Sequence, residues 1–324
     1  MIVRRMVRGF ATSEVADLAG EMLQASREMT TRHVYVRIVR KFQEWRGARA
    51  TSAPSVEEIL AFLAKKFSDS KSAASTQQTA AALKWKMKFN PGPNPLNSVW
   101  ITTLLEGVRR SGRSPIHREK ISEAHLRRLA LWEAKDRKDH RIRTLLAVLY
   151  AGCLRPAEGI GLQTRSVHID KTRMVLSIIK DKTHKEGAAR KVVIQRAPGP
   201  FCAVKLMSDW LQMAPRSPFV FANFNDACRP MSYDSARKEW KRVAAALGIP
   251  ESIGLHGFCG GAATQAIEDG APVDEIMRHG RWKRMETLKA YVESSEKTTP
   301  TASSLLSRLE MQTMEDPQEK PPTR

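Results

Sequence analysis

Chemistry in this chain could reside in a handful of side chains spread through its second half. Arg155 follows an apolar stretch and a Gly152-Cys153 break, and Pro156 behind it suits the first turn of a helix. A guanidinium beside the unpaired N–H groups of a helix start attracts phosphate, whereas one paired with Glu158 is an ordinary surface arginine. Lys182, 27 residues further on, lies in the charged stretch Lys-Asp-Lys-Thr-His-Lys. Such a turn is either simply solvated or able to swing into a groove as a proton donor. His256 opens the small-residue run His-Gly-Phe-Cys-Gly-Gly-Ala-Ala, where a helix or a phosphate could approach closely. It could equally be a packed core histidine. Trp282 and Tyr291 stand nine residues apart. With Met285, Leu288 and Val292 toward the core, Tyr291 is partly turned inward and its hydroxyl could reach a cleft, although most tyrosines so placed only pack and hydrogen-bond.

These residues need elements to hold them. Residues 13–110 read as helices: Val34, Ile38, Phe42 and Trp45 share one helical face behind Thr30/Thr31 as caps, and Arg32, Arg37, Arg40 and Arg46 decorate that helix. Pro54-Ser55 opens a helix with Ile59, Phe62 and Leu63 on its apolar side, and Ser75 or Thr76 caps the next. The run Asn90-Pro-Gly-Pro-Asn-Pro is a break, and a short helix from Val99 to Val108 leads to the basic stretch Arg109-Arg110-Ser-Gly-Arg113, taken as a domain boundary. Beyond it, helices are expected over Ile121–Trp132 and Ile142–Tyr150. Met174–Ile179 and Lys191–Ile194 are β-branched runs about a charged turn, which reads as a hairpin. Helices return near 200–213, 233–247, 256–269, 272–279 and 285–292, and the last residues, with Pro317, Pro321 and Pro322, read as disordered.

Charge points to a partner. The 324 residues carry a net charge of +20, and both the first 112 residues and the stretch that follows contribute to the excess. Nucleic acid is the natural polyanion for such a chain, with solubility or a membrane surface as the plainer readings. The four cysteines stand far apart without zinc-ligand spacing, and no run reaches the length of a membrane span.

Arg155, Lys182, His256, Trp282 and Tyr291 together resemble the catalytic set of tyrosine recombinases, the phage-integrase class. The resemblance covers the C-terminal two-thirds by specific spacings and the N-terminal helices more loosely. It implies a mainly α fold with a small β-sheet, arranged as a two-domain C-clamp around duplex DNA. Residues 1–112 would be a helical core-binding domain, 113–310 an α+β catalytic domain, and 311–324 a disordered tail. By resemblance Arg155 clamps the scissile phosphate, supported by Glu158, and Lys182 protonates the leaving 5′ oxygen. His256 assists proton transfer and holds the phosphate, Trp282 takes a position where many members have His, and Tyr291 attacks phosphorus. The expected activity is cleavage and rejoining in site-specific recombination or integration, as in a mobile element, through a 3′-phosphotyrosine link. That link stores the bond energy, so no cofactor is needed. The implied partners are double-stranded DNA and further copies of the chain in a tetramer, not a membrane, at DNA inside the cell (nucleus in a eukaryote, cytoplasm in a prokaryote). Arg40, Lys84, Lys86, Arg110 and Arg113 are the expected DNA contacts.

One position departs from the pattern. The family motif is His-x-x-Arg, and this chain reads His256-Gly-Phe-Cys259. A neutral thiol cannot make a bidentate contact to phosphate. Loss of one transition-state donor costs roughly 10²–10³ in rate. The expectation is therefore an impaired recombinase or an inactive DNA-binding descendant, with Cys259→Arg raising cleavage by roughly 10²-fold. Arg278, Arg281 and Arg284 are nearby substitutes, none of them at the motif position.

Overall fold

The computed structural model describes residues 12–25, 28–47, 52–90, 92–112, 119–178 and 190–292, the side chains of 13, 16, 24, 25, 30 and 290–292 excepted. The chain divides into two compact units at Ile116/His117, four residues beyond the boundary expected from sequence.

The first unit is helical: α1 (Ser13–Ala25), α2 (Met29–Arg46), α3 (Val56–Ser70), α4 (Ala73–Met87) and α5 (Val99–Ser111). Val39, Phe42, Ile59, Leu63, Leu83 and Ile101 form its core. Ser55 caps α3 in a reciprocal box with Glu58, as Pro54-Ser55 suggested. Two details differ from the sequence reading. Ser72, not Ser75 or Thr76, caps α4, and α2 starts at Met29, which puts Thr30 and Thr31 inside its first turn. Arg46 does not decorate α2. Its guanidinium is buried and bonded to Glu58 at 3.0 and 3.3 Å and to Ser52 O at 3.0 Å. Arg46 lies one turn beyond Phe42 on the same buried helix face, and the charge is tolerated there because a carboxylate meets it.

The second unit is built on α7 (Arg137–Ala151), whose Ile142, Leu145, Leu146, Val148 and Leu149 are all fully buried. The helix begins five residues before Ile142 because Asp136 accepts the N–H of Asp139 as an N-cap. Around it stand α6 (Glu123–Leu131), the short α8 (Pro156–Ile160), α9 (Ala203–Met213), α10 (Tyr233–Ala246), α11 (His256–Glu268), α12 (Val273–Gly280) and α13 (Met285–Val292). The expected hairpin is present as β2 (Arg173–Ile178) and β3 (Arg190–Gln195), joined by a third antiparallel strand, β1 (Val167–Ile169). Met174 faces Ile194 and Leu176 faces Val192, so one face of the sheet is apolar and enters the same core as α7. A small second hairpin, β4 (Ala222–Asn223) with β5 (Asp226–Pro230), was not read from sequence. The molecule is thus mainly helical with a small antiparallel sheet. No described helix is long and apolar enough to cross a membrane.

Candidate active site

Arg155 stands at the turn from α7 into α8, where Pro156 occupies the first helical position. Its main-chain N–H donates to Glu158 Oε2 at 2.9 Å and its Nη1 to Glu158 Oε1 at 2.7 Å. The pairing read as the plain alternative to phosphate binding is therefore real, yet it does not make Arg155 a surface arginine. Its side chain is 20% exposed and that of Glu158 only 4%. Since α8 has only five residues, its dipole adds little, and the pull on an anion must come from side-chain charge.

A second guanidinium meets the same carboxylate. Arg281 Nη2 donates to Glu158 Oε2 at 2.8 Å and to Cys153 O at 3.1 Å, while Nη1 reaches Gly152 O at 3.2 Å and His279 O at 2.9 Å. Arg281 is 4% exposed, and its Nε is buried without a hydrogen-bond partner. It ends α12 in the left-handed conformation (φ 58°) that glycine usually supplies there, and this turns the side chain back toward the α7–α8 corner. Cys153 on that corner is also left-handed (φ 45°), a conformation costing roughly 1–3 kcal/mol for a residue with a Cβ. Sequence reading named Arg281 only as one of three possible substitutes, with Arg278 and Arg284. The one signal for its role was a non-glycine residue at the position just past a helix end.

His256 and Cys259 lie on the first turn of α11, so both were placed correctly on one helix start. They differ in surroundings: His256 is exposed, which removes the packed-core reading, while Cys259 is 2% exposed. Cys259 Sγ donates to Cys153 O at 3.1 Å, the carbonyl that Arg281 also reaches. Its hydrogen bond with the Cys153 thiol, together with burial, pushes the Cys259 thiol well above its ordinary range. The same thiol–thiol bond lowers Cys153, assisted by Arg281 and opposed by burial. The small residues of α11 receive protein rather than phosphate: a Cβ on Gly261 would lie 2.4 Å from Ile121 O, and one on Gly257 3.0 Å from Glu119 O.

Trp282 follows Arg281, is 6% exposed and packs with Cys153, Cys259, Ile276 and Leu288. A Cβ on Gly280 would fall 2.2 Å from the Trp282 ring, so glycine there lets the indole fold over the end of α12. Tyr291 lies on α13, one turn after the buried Leu288, and its side chain is outside the described residues. Met285 is 41% exposed, so the expected inward face of this helix rests on Leu288. Lys182 is outside the described residues as well. Nearby, burial pushes the Tyr150 phenol up to about 12, which keeps it neutral. Arg155, Cys259, Arg281 and Trp282 are thus brought together around Glu158 and the Cys153 carbonyl.

Of the expected DNA contacts, Arg40, Lys84 and Arg110 are exposed, Lys86 is half-buried and Arg113 lies outside the described residues. Arg40 pairs with Glu44 at 3.5 Å. Among the described residues no group of His, Cys, Asp and Glu is arranged to hold a metal ion.

The chain resembles solved structures of DNA-bound recombinases. XerH site-specific recombinase bound to a palindromic difH substrate shares 17% identity, with a TM-score of 0.63 over 85% of this chain and 80% of that one. The Tn1549 transposon integrase in complex with circular intermediate DNA shares 12% identity, with a TM-score of 0.60 over 94% and 97%. A lambda integrase dimer bound to a COC′ core site shares 14%, with a TM-score of 0.60 over 87% and 78%. These likenesses establish the fold. A search of curated protein sequences returned no match. Residues 120–298, spanning α6 to α13 and every candidate catalytic position, match the Phage integrase family, and the chain belongs to that family.

Proposed function

We propose that the chain cleaves and rejoins duplex DNA in site-specific recombination, inside the cell, with Tyr291 forming a 3′-phosphotyrosine link and several copies acting together on DNA. One observation carries this reading: two guanidiniums, Arg155 and Arg281, converge on one buried carboxylate, that of Glu158, next to Trp282 and Cys259 and with His256 on the same first helical turn as Cys259. Such a cluster keeps a net positive charge, and a phosphodiester with an alkoxide leaving group needs charge on its non-bridging oxygens, a proton for the leaving oxygen and an oriented nucleophile. Arg155 would hold the phosphate, His256 would hold it and assist proton transfer, Lys182 would protonate the leaving oxygen, and Trp282 would wall the site.

A second reading, an inactive DNA-binding descendant, is favoured by Cys259, a neutral thiol bonded to the Cys153 carbonyl. The test is selection of bound duplexes from a random-sequence library, then incubation of the full chain with the selected duplex carrying a nick. A protease-sensitive covalent protein–DNA species, present in wild type and absent in Tyr291→Phe, is the expected result. Tight binding without any adduct would establish the inactive binder, and no selected duplex at all would sink both readings.

A further inference from the structure

Glu158 poses an electrostatic problem that Arg281 solves. Arg155 and Glu158 alone form a closely bonded pair of zero net charge, with contacts at 2.7 and 2.9 Å and both side chains largely buried. A guanidinium so neutralised has little left to offer a phosphate. Arg281 changes the sum: its Nη2 lies 2.8 Å from the same Oε2, so one carboxylate is divided between two guanidiniums and the triad carries one net positive charge. The remaining contacts of Arg281 are carbonyl oxygens, of Gly152, Cys153 and His279, which hold the cation without neutralising it. The neighbouring side chain that faces this charge is Cys259, a thiol kept protonated and itself bonded to the Cys153 carbonyl. Position 259, where this chain has no arginine, and the head of Arg281 therefore address one and the same oxygen atom.

We propose that Arg281 is a positioning residue that supplies, from the end of α12, the positive charge position 259 lacks, so that Glu158 is shared between two guanidiniums and Arg155 offers a DNA phosphate more positive charge than it would beside Glu158 alone. At 4% exposure Arg281 does not touch the phosphate, and it acts through Glu158 and Arg155. The inference rests on the strand-exchange reading, and its test separates the two.

The experiment measures the salt dependence of binding of the full chain to the duplex selected above, by fluorescence anisotropy, for wild type, Arg281→Met and Arg281→Met/Glu158→Gln. Each neutralised phosphate contributes a slope of about 0.9 in log affinity against log salt. Arg281→Met is expected to lose about one such contact, and the double variant, whose Arg155 again faces a neutral partner, to regain it. Where wild type forms the Tyr291 adduct, its rate should fall roughly 10²-fold in Arg281→Met and recover at least about tenfold in the double variant, the scale of one donor. A purely structural role predicts no rescue by removal of a second hydrogen-bonded group. An unchanged slope in folded Arg281→Met, or a lost contact that Glu158→Gln does not restore, overturns the proposal. If Arg281→Met fails to fold, the double variant is compared with wild type directly: a matching slope supports the proposal and a slope lower by about 0.9 overturns it. Binding with these slopes but no adduct in wild type rejects the strand-exchange reading and leaves Arg281 as the charge donor of a DNA-binding protein. A chain that binds no duplex overturns both.

Discussion

At the scale of single residues, burial decides what a substitution can do. Cys259→Arg, expected from the motif alone to raise cleavage, would place a second guanidinium against a carbonyl already bonded to Arg281, where Glu158 is the carboxylate bonded to Arg281 among the described residues. An uncompensated buried charge costs about 3–5 kcal/mol, so the single variant should melt at distinctly lower denaturant than wild type. Cys259→Arg/Arg281→Met, which exchanges one guanidinium for the other, should recover most of that loss. Equal midpoints for the single variant and wild type would show that the pocket has room for two. The cysteines provide a second residue-scale check. Cys228 is exposed while Cys153, Cys202 and Cys259 are buried. A thiol reagent must reach its sulfur, so native protein should show one fast equivalent and three that react only on unfolding, and Cys228→Ser should abolish the fast one.

At the scale of elements, the glycines of two helices should respond with opposite signs. Gly261 of α11 lies against the segment before α6, and an added Cβ would sit 2.4 Å from Ile121 O. Backbone cannot yield as a side chain end does, so Gly261→Ala should cost about 1–3 kcal/mol. Gly107 is exposed on α5, with nothing within 4 Å of an added Cβ. Gly107→Ala should therefore stabilise by about 0.5–1 kcal/mol through the unfolded chain and helix propensity. Denaturant melts of the two variants read both signs, and a stabilised Gly261→Ala would mean that α11 and the Glu119–Ile121 segment do not pack as described. The same close packing brings the first turn of α11, with His256 and Cys259, to its place beside the α7–α8 corner.

For the whole molecule, the basic excess on both units sets the expectation. Each unit has its own apolar core, so residues 1–116 and 117–324 should fold separately. If both grip one duplex, each alone should bind far more weakly than the intact chain, since linkage turns the second contact into an intramolecular one. For six or more phosphate contacts the affinity of the intact chain should fall by about 10³ or more between 50 and 200 mM salt. Salt-independent binding, or one unit that binds as tightly as the whole, would contradict a shared phosphate-led interface.

Patterns short in sequence were readable without the structure. The helices from α9 to α13 follow from apolar periodicity punctuated by Gly and Pro, and the β2–β3 hairpin from two β-branched runs, because these signals act within a few residues. Residue types and spacings marked Arg155, His256, Trp282 and the unusual Cys259 for the same reason. What the sequence could not decide is where long side chains end. Arg46 read as a surface cation and Arg281 as one of three possible substitutes for an arginine at position 259, yet each is buried on a carboxylate, one 12 residues away and the other 123. An arginine reaches far from its own backbone, and whether its head meets water or a buried carboxylate depends on elements that only the folded chain brings together. That convergence on Glu158, absent from any local motif, determines the charge of the site.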